Sequence, residues 1–93
     1  MEVPSKPPNA RGIIVANLTR NVVETHLRSV FGLYGPIVKV DMPVYIKSGQ
    51  NRGKAGIEFQ QPEMAQKAQS HMNGGQLDGA ILKVELTDSP MLS

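Results

Sequence analysis

Between Gly12 and Leu86 the spacing of apolar residues switches back and forth between two residues and about 3.6. The order of those switches constrains the fold more than any other feature, because strand and helix periods do not substitute for one another. "GIIVANL" (Gly12–Leu18) is an apolar, β-branched run of strand length. "VVETHLRSVFGLYG" then sets Val23, Leu27, Val30, Phe31 and Tyr34 at helical spacing. Asn21, with Glu24 three residues on, predicts a capping box, and Gly35-Pro36 stops the helix. "IVKVDMPV" (Ile37–Val44) alternates, which predicts Val38, Val40 and Met42 inward and Lys39 and Asp41 outward. "KAGIEF" alternates again, with Ala55, Ile57 and Phe59 inward and Lys54, Gly56 and Glu58 outward. Pro62 opens a second helix that sets the small residues Ala65 and Ala68, with Met72, on one face. "LDG" predicts a turn, and Ala80–Leu86 the last strand, with Leu82, Val84 and Leu86 inward.

The order β-α-β-β-α-β predicts an α+β domain: a four-stranded antiparallel sheet with two helices on one face. The other face is expected open, carrying Ile14, Ala16, Lys39, Asp41, Lys54, Gly56, Lys83 and Glu85. At 93 residues there is length for one small domain. Pro4, Pro7 and Pro8 mark residues 1–10 as an extended arm, and 89–93 read as a tail, leaving 11–88 as the folded unit.

Absence of cysteine excludes disulfides and Cys-based zinc sites, and no cofactor is expected. His26 and His71 lie on different helices, with no paired carboxylate to complete a metal site. No apolar run has membrane-spanning length, and a monomer is expected. Phosphate-loop, dinucleotide and nucleophile-elbow patterns are absent, so no enzyme is expected. "LTRNV" has an arginine but no glycine, and so lacks the anion loop of acylphosphatases.

With these residues in place, the chain resembles an RNA recognition motif, a ferredoxin-like fold. "IIVANL" (Ile13–Leu18) resembles its first-strand signature and "RGKAGIEF" (Arg52–Phe59) its third-strand octamer. In that family RNA stacks on rings at positions that here are Ile14, Lys54 and Gly56. Each missing platform removes about 1–3 kcal/mol per base. The resemblance therefore implies weak, mainly electrostatic contact with single-stranded RNA, on the order of micromolar or weaker. Lys39, Lys47, Arg52, Lys54 and Lys83 are the phosphate candidates, with Ile14 as an apolar patch. Against them stand Asp41, Glu58 and Glu85, and the formal charge is only +2. Tyr45 has two readings: a loop ring packed on its neighbours, or a displaced stacking platform.

"LTRNV", "YGPIVKVDMPV" and "HMNGGQLDG" are similar to the motifs of serine-rich splicing proteins of the exon junction complex. That similarity implies nuclear pre-mRNA splicing and docking of an acinus-like peptide on the helical side. His26, Leu33, Met64 and His71 flank the buried stripes there and are the candidate partner contacts. Export adaptors of the same fold are a further alternative, but they carry Arg-rich flanks that this chain does not.

Overall fold

The computed structural model describes residues 10–88. The order is β1 (Gly12–Ala16), α1 (Glu24–Phe31), a 3₁₀ turn (Gly32–Tyr34), β2 (Ile37–Asp41), β3 (Lys54–Phe59) and α2 (Pro62–Met72), then β4 (Gln76–Leu77), β5 (Ala80–Ile81) and β6 (Lys83–Thr87). The main sheet has strand order β2-β3-β1-β6, antiparallel throughout. Both helices pack on one face, where Ile13, Val15, Ala55, Ile57, Phe59 and Val84 meet Leu27, Phe31, Ala65 and Ala68. The two alanines put almost no side chain between α2 and the sheet, so α2 lies close over β6, β1 and β3.

The expected alternation holds on β1, β3 and β6; on β2 it holds for Val40, and just past the strand for Met42, both packed on the core, and fails at Val38. The register slips between Ile37 and Lys39, so that Ile37 pairs with Phe59 while Lys39 pairs with Glu58. Such a β-bulge leaves one residue unpaired and resets the side-chain phase. Val38 is that residue. It is 55% exposed rather than inward, and Ile37 takes its place against the core.

The start of α1 also departs from expectation. Its N-cap is Val23, which makes no side-chain cap bond, while the Asn21 amide reaches Asp78 Oδ2 at 3.4 Å. Val22, not Val23, is buried, because the Thr19–Val22 backbone turn precedes the helix and rotates Val23 to solvent. The predicted last strand is split. Ala80–Ile81 pairs with Gln76–Leu77 across an Asp78-Gly79 turn, and Lys83–Thr87 pairs with β1. Asp78 and Gly79 both have positive φ, as a two-residue hairpin loop of matching twist requires. Ala10, assigned to the arm on composition, is buried. It is held there as the Arg11 carbonyl accepts the Phe59 N–H at 2.7 Å. The rest of the expected arm and tail lies outside the described residues.

The outer edge of β6 is closed by α2. Gln69 Nε2 donates to the Val84 carbonyl (3.2 Å) and the Val84 N–H donates to Asn73 Oδ1 (3.0 Å). Those side chains cover backbone groups that would otherwise template another strand.

Candidate nucleic-acid interface

Strand register decides which side chains share the open face. Ala16 pairs with Lys54 on one side and Lys83 on the other, giving a row Lys54–Ala16–Lys83. The next row is Asp41–Gly56–Ile14–Glu85. Ile14, Ala16, Lys54, Lys83 and Glu85 thus line one shallow groove. Lys83 Nζ lies 4.0 Å from Glu85 Oε1, both well exposed, so this ion pair adds little to stability and dilutes the positive charge of the groove. Among the described residues no ring lines the groove, and its apolar floor is Ile14 and Ala16. It can attract a phosphate and bury a small apolar edge, but it offers no stacking surface.

A second basic area sits where β1 ends and β3 begins. The β1–α1 loop and the β2–β3 loop meet there through backbone and one side chain. Leu18 N–H donates to the Gly53 carbonyl at 3.0 Å. Asn51, only 3% exposed, donates through Nδ2 to the carbonyls of Thr19 (2.7 Å) and Val22 (2.9 Å). Its Oδ1 accepts the Gly53 N–H at 2.7 Å. Both the Nδ2 and the Oδ1 of that amide are engaged with backbone, so Asn51 braces the loops. From the other side, the β4–β5 turn holds the β1–α1 loop. Thr19 Oγ1 donates to Asp78 Oδ2 at 2.5 Å, and Asn17 Nδ2 to the Ile81 carbonyl at 2.6 Å.

The braced loops carry Arg20, Tyr45 and Arg52 around one hollow. The Arg52 guanidinium lies 5.3 Å from the Tyr45 ring centroid, within cation–π range. Tyr45 therefore has a neighbour on its ring and is still 54% exposed. Ile14, Lys54 and Lys83 are brought together on the sheet, and Tyr45 and Arg52 at its end. Lys39 stands apart on β2 beside Glu58, and Lys47 is exposed in the β2–β3 loop. Asn51 was missed by sequence reasoning; a polar residue in a Gly-rich loop carries no local mark of burial. Arg20, present in the sequence only as the arginine of "LTRNV", joins Arg52 here.

On the helical side, Tyr34 and His71 touch with ring centroids 5.5 Å apart at a tilt of 41°. Met64 packs on Gly35 just beyond Tyr34. Leu33 is 83% exposed beside that seam, while His26 lies toward the other end of α1. Among the described residues no group of three or more His, Cys, Asp or Glu side chains is placed to hold a metal ion, and no helix is long and apolar enough to cross a membrane.

A model of the RNA recognition motif matches residues 13–83. The RNA-binding protein with serine-rich domain 1 homolog of Schizosaccharomyces pombe is 42% identical over 83 residues, which is 89% of this chain and 34% of that protein. The serine/arginine-rich splicing factor SR45 of Arabidopsis thaliana is 37% identical over 76 residues, 82% of this chain and 18% of that protein. The chain thus spans about a third or less of these relatives. The structure of the Rna15 RRM with bound GU RNA superposes with a TM-score of 0.83 at 24% identity, covering 90% of this chain and 89% of that one, a likeness of fold alone. With the sheet order, the helices on one face and both strand signatures in register, this chain belongs to the noncatalytic RNA recognition motif family.

Proposed function

We propose that this domain makes a weak, mainly electrostatic contact with single-stranded RNA, within a nuclear factor of pre-mRNA splicing and mRNA processing. The observation that carries the reading is the row Lys54–Ala16–Lys83 on an uncovered sheet face with no ring beside it. Lysines there neutralise phosphates and release counterions, which holds a strand without reading its bases. Ile14 gives the apolar contact beneath, Arg52 extends the track, and Lys39 and Lys47 contribute only to the approach. The names of the serine-rich and splicing-factor relatives support the splicing setting and the nucleus. The test is an NMR titration with short single-stranded RNA at low salt. Shifts at Ile14, Lys54 and Lys83 are expected; an unmoved sheet face overturns the reading.

A second reading concerns the opposite face and is compatible with the first. Leu33, 83% exposed beside the Tyr34–His71 and Met64–Gly35 contacts, favours docking of an acinus-like splicing-partner peptide on the helical side. An exposed leucine beside packed aromatic and methionine side chains is the kind of anchor point a peptide side chain covers. Leu33→Asp should abolish capture of such a peptide while leaving RNA shifts intact. Unchanged capture would remove Leu33 from that surface.

A further inference from the structure

The chain has only four Phe, Tyr or Trp rings. Phe31 and Phe59 are fully buried, and Tyr34 is half-buried against His71. Tyr45 is the ring left with substantial exposed surface, and it sits at the end of the sheet from which the family's rings are missing. Its backbone is fixed on both sides: Tyr45 N–H donates to the Gln50 carbonyl (2.9 Å), and Gly49 N–H to the Tyr45 carbonyl (2.7 Å). Arg52 is fixed likewise by its N–H to the Pro43 carbonyl at 3.2 Å. Stacked on the ring, a guanidinium keeps the N–H groups at its edge for a phosphate. Arg20 enters from the other loop, so two arginines and, among the described residues, no acid line the hollow. Its volume, about 460 Å³, falls within the roughly 300–1,000 Å³ of small-ligand sites. Gly53 lines the hollow and Lys54 the sheet groove, so the two areas adjoin along one chain segment.

We propose that the hollow between the β1–α1 and β2–β3 loops seats one nucleotide of a bound RNA strand, its base stacked on Tyr45 and its phosphate held by Arg20 and Arg52. This rests on the RNA reading above and adds a base contact that the ringless sheet cannot make. The base platform is moved off the sheet and onto a loop made rigid by Asn51. Charge favours this place: the hollow carries two unopposed arginines, whereas Lys83 in the groove is shared with Glu85.

Affinities of the whole chain are measured for hexauridylate and for an abasic hexamer of the same phosphate count, with folding of each variant checked by two-dimensional NMR. Wild type should prefer hexauridylate. Tyr45→Ala should weaken hexauridylate about tenfold, since stacking contributes roughly 1–3 kcal/mol per base, and should weaken the abasic hexamer much less, through the loosened Arg52 alone. Arg20→Ala should weaken both probes alike. Ile46→Ala, next to Tyr45 in the chain but 96% exposed and outside the hollow, should weaken neither. Equal binding of hexauridylate by wild type and Tyr45→Ala overturns the seat. If Lys54→Ala with Lys83→Ala then still weakens both probes, the sheet track stands without the seat. If that pair also changes nothing, or wild type binds neither probe at low salt, both readings fall.

Discussion

Asn51 carries more of the site than any of the cations around it, because it holds together the loops on which they sit. Its amide faces two backbone carbonyls and one N–H, so only one orientation satisfies all three. Asn51→Ala takes the side-chain donor from the Val22 carbonyl and the acceptor from the Gly53 N–H, while the Thr19 carbonyl keeps the Val22 N–H, at a cost of about 2–3 kcal/mol. Asn21→Ala, which removes only a 3.4 Å contact on the surface, should cost less than about 0.5 kcal/mol. Urea denaturation of the two variants checks the contrast. Equal destabilisation would mean that the loops are held by something other than Asn51. Local sequence suggested the opposite ranking: Asn21 stands three residues before Glu24, as a cap should, whereas the two carbonyls that Asn51 bonds lie about thirty residues away. Capping is a short-range pattern and can be read from spacing. A side chain bonding across two loops depends on the assembled sheet and has no such signature.

Among the elements, β2 shows how far a period can be trusted. On β3 the alternation places Ala55, Ile57 and Phe59 in the core because the strand is paired on both edges without interruption through its centre. β2 is an edge strand, and one extra residue in it exchanges the faces of its first residues. Val38→Asp should therefore change stability by no more than about 0.5 kcal/mol, while Val40→Asp, paired with Ile57 and packed on the core, should cost more than about 2 kcal/mol. Thermal melts of both distinguish the bulged register from simple alternation, which predicts equal losses. The turn before β2 makes a similar demand. Gly35 has φ of +152°, and a side chain there would run into Met64. Gly35→Ala should destabilise by about 1–3 kcal/mol from backbone strain and crowding together. In a Gly35→Ala, Met64→Ala double variant the crowding part disappears and the strain part stays. The loss in the pair should then fall short of the sum of the single losses by about 1 kcal/mol. Strict additivity would place Met64 elsewhere. "Gly35-Pro36" announced a helix stop in the sequence, but the packing of Met64 on that glycine is a contact between distant elements and was not readable there.

On the scale of the whole molecule, the proposed sheet track and loop seat would share phosphate attraction, and the loop alone would supply the base contact that the ringless sheet lacks. Lys54, Lys83, Arg20 and Arg52 offer about three effective charges once Glu85 is set against Lys83. For single strands the logarithm of affinity falls by about 0.7 per logarithm of salt for each phosphate neutralised, so a slope of about −2 is expected. Lys54→Phe tests the division directly, because it exchanges one charge for a ring beside Ala16 at an exposed position. The slope should flatten by about 0.7. The added platform should contribute roughly 1–3 kcal/mol that salt does not screen. The variant should then gain its largest advantage over wild type at high salt and lose most of it at low salt, with hexauridylate preferred over the abasic hexamer more strongly than before. A salt series of binding curves for the two proteins measures both quantities. If Lys54→Phe binds more weakly at every salt concentration, with the wild-type slope, Lys54 meets no phosphate and the strand does not cross the sheet at that row.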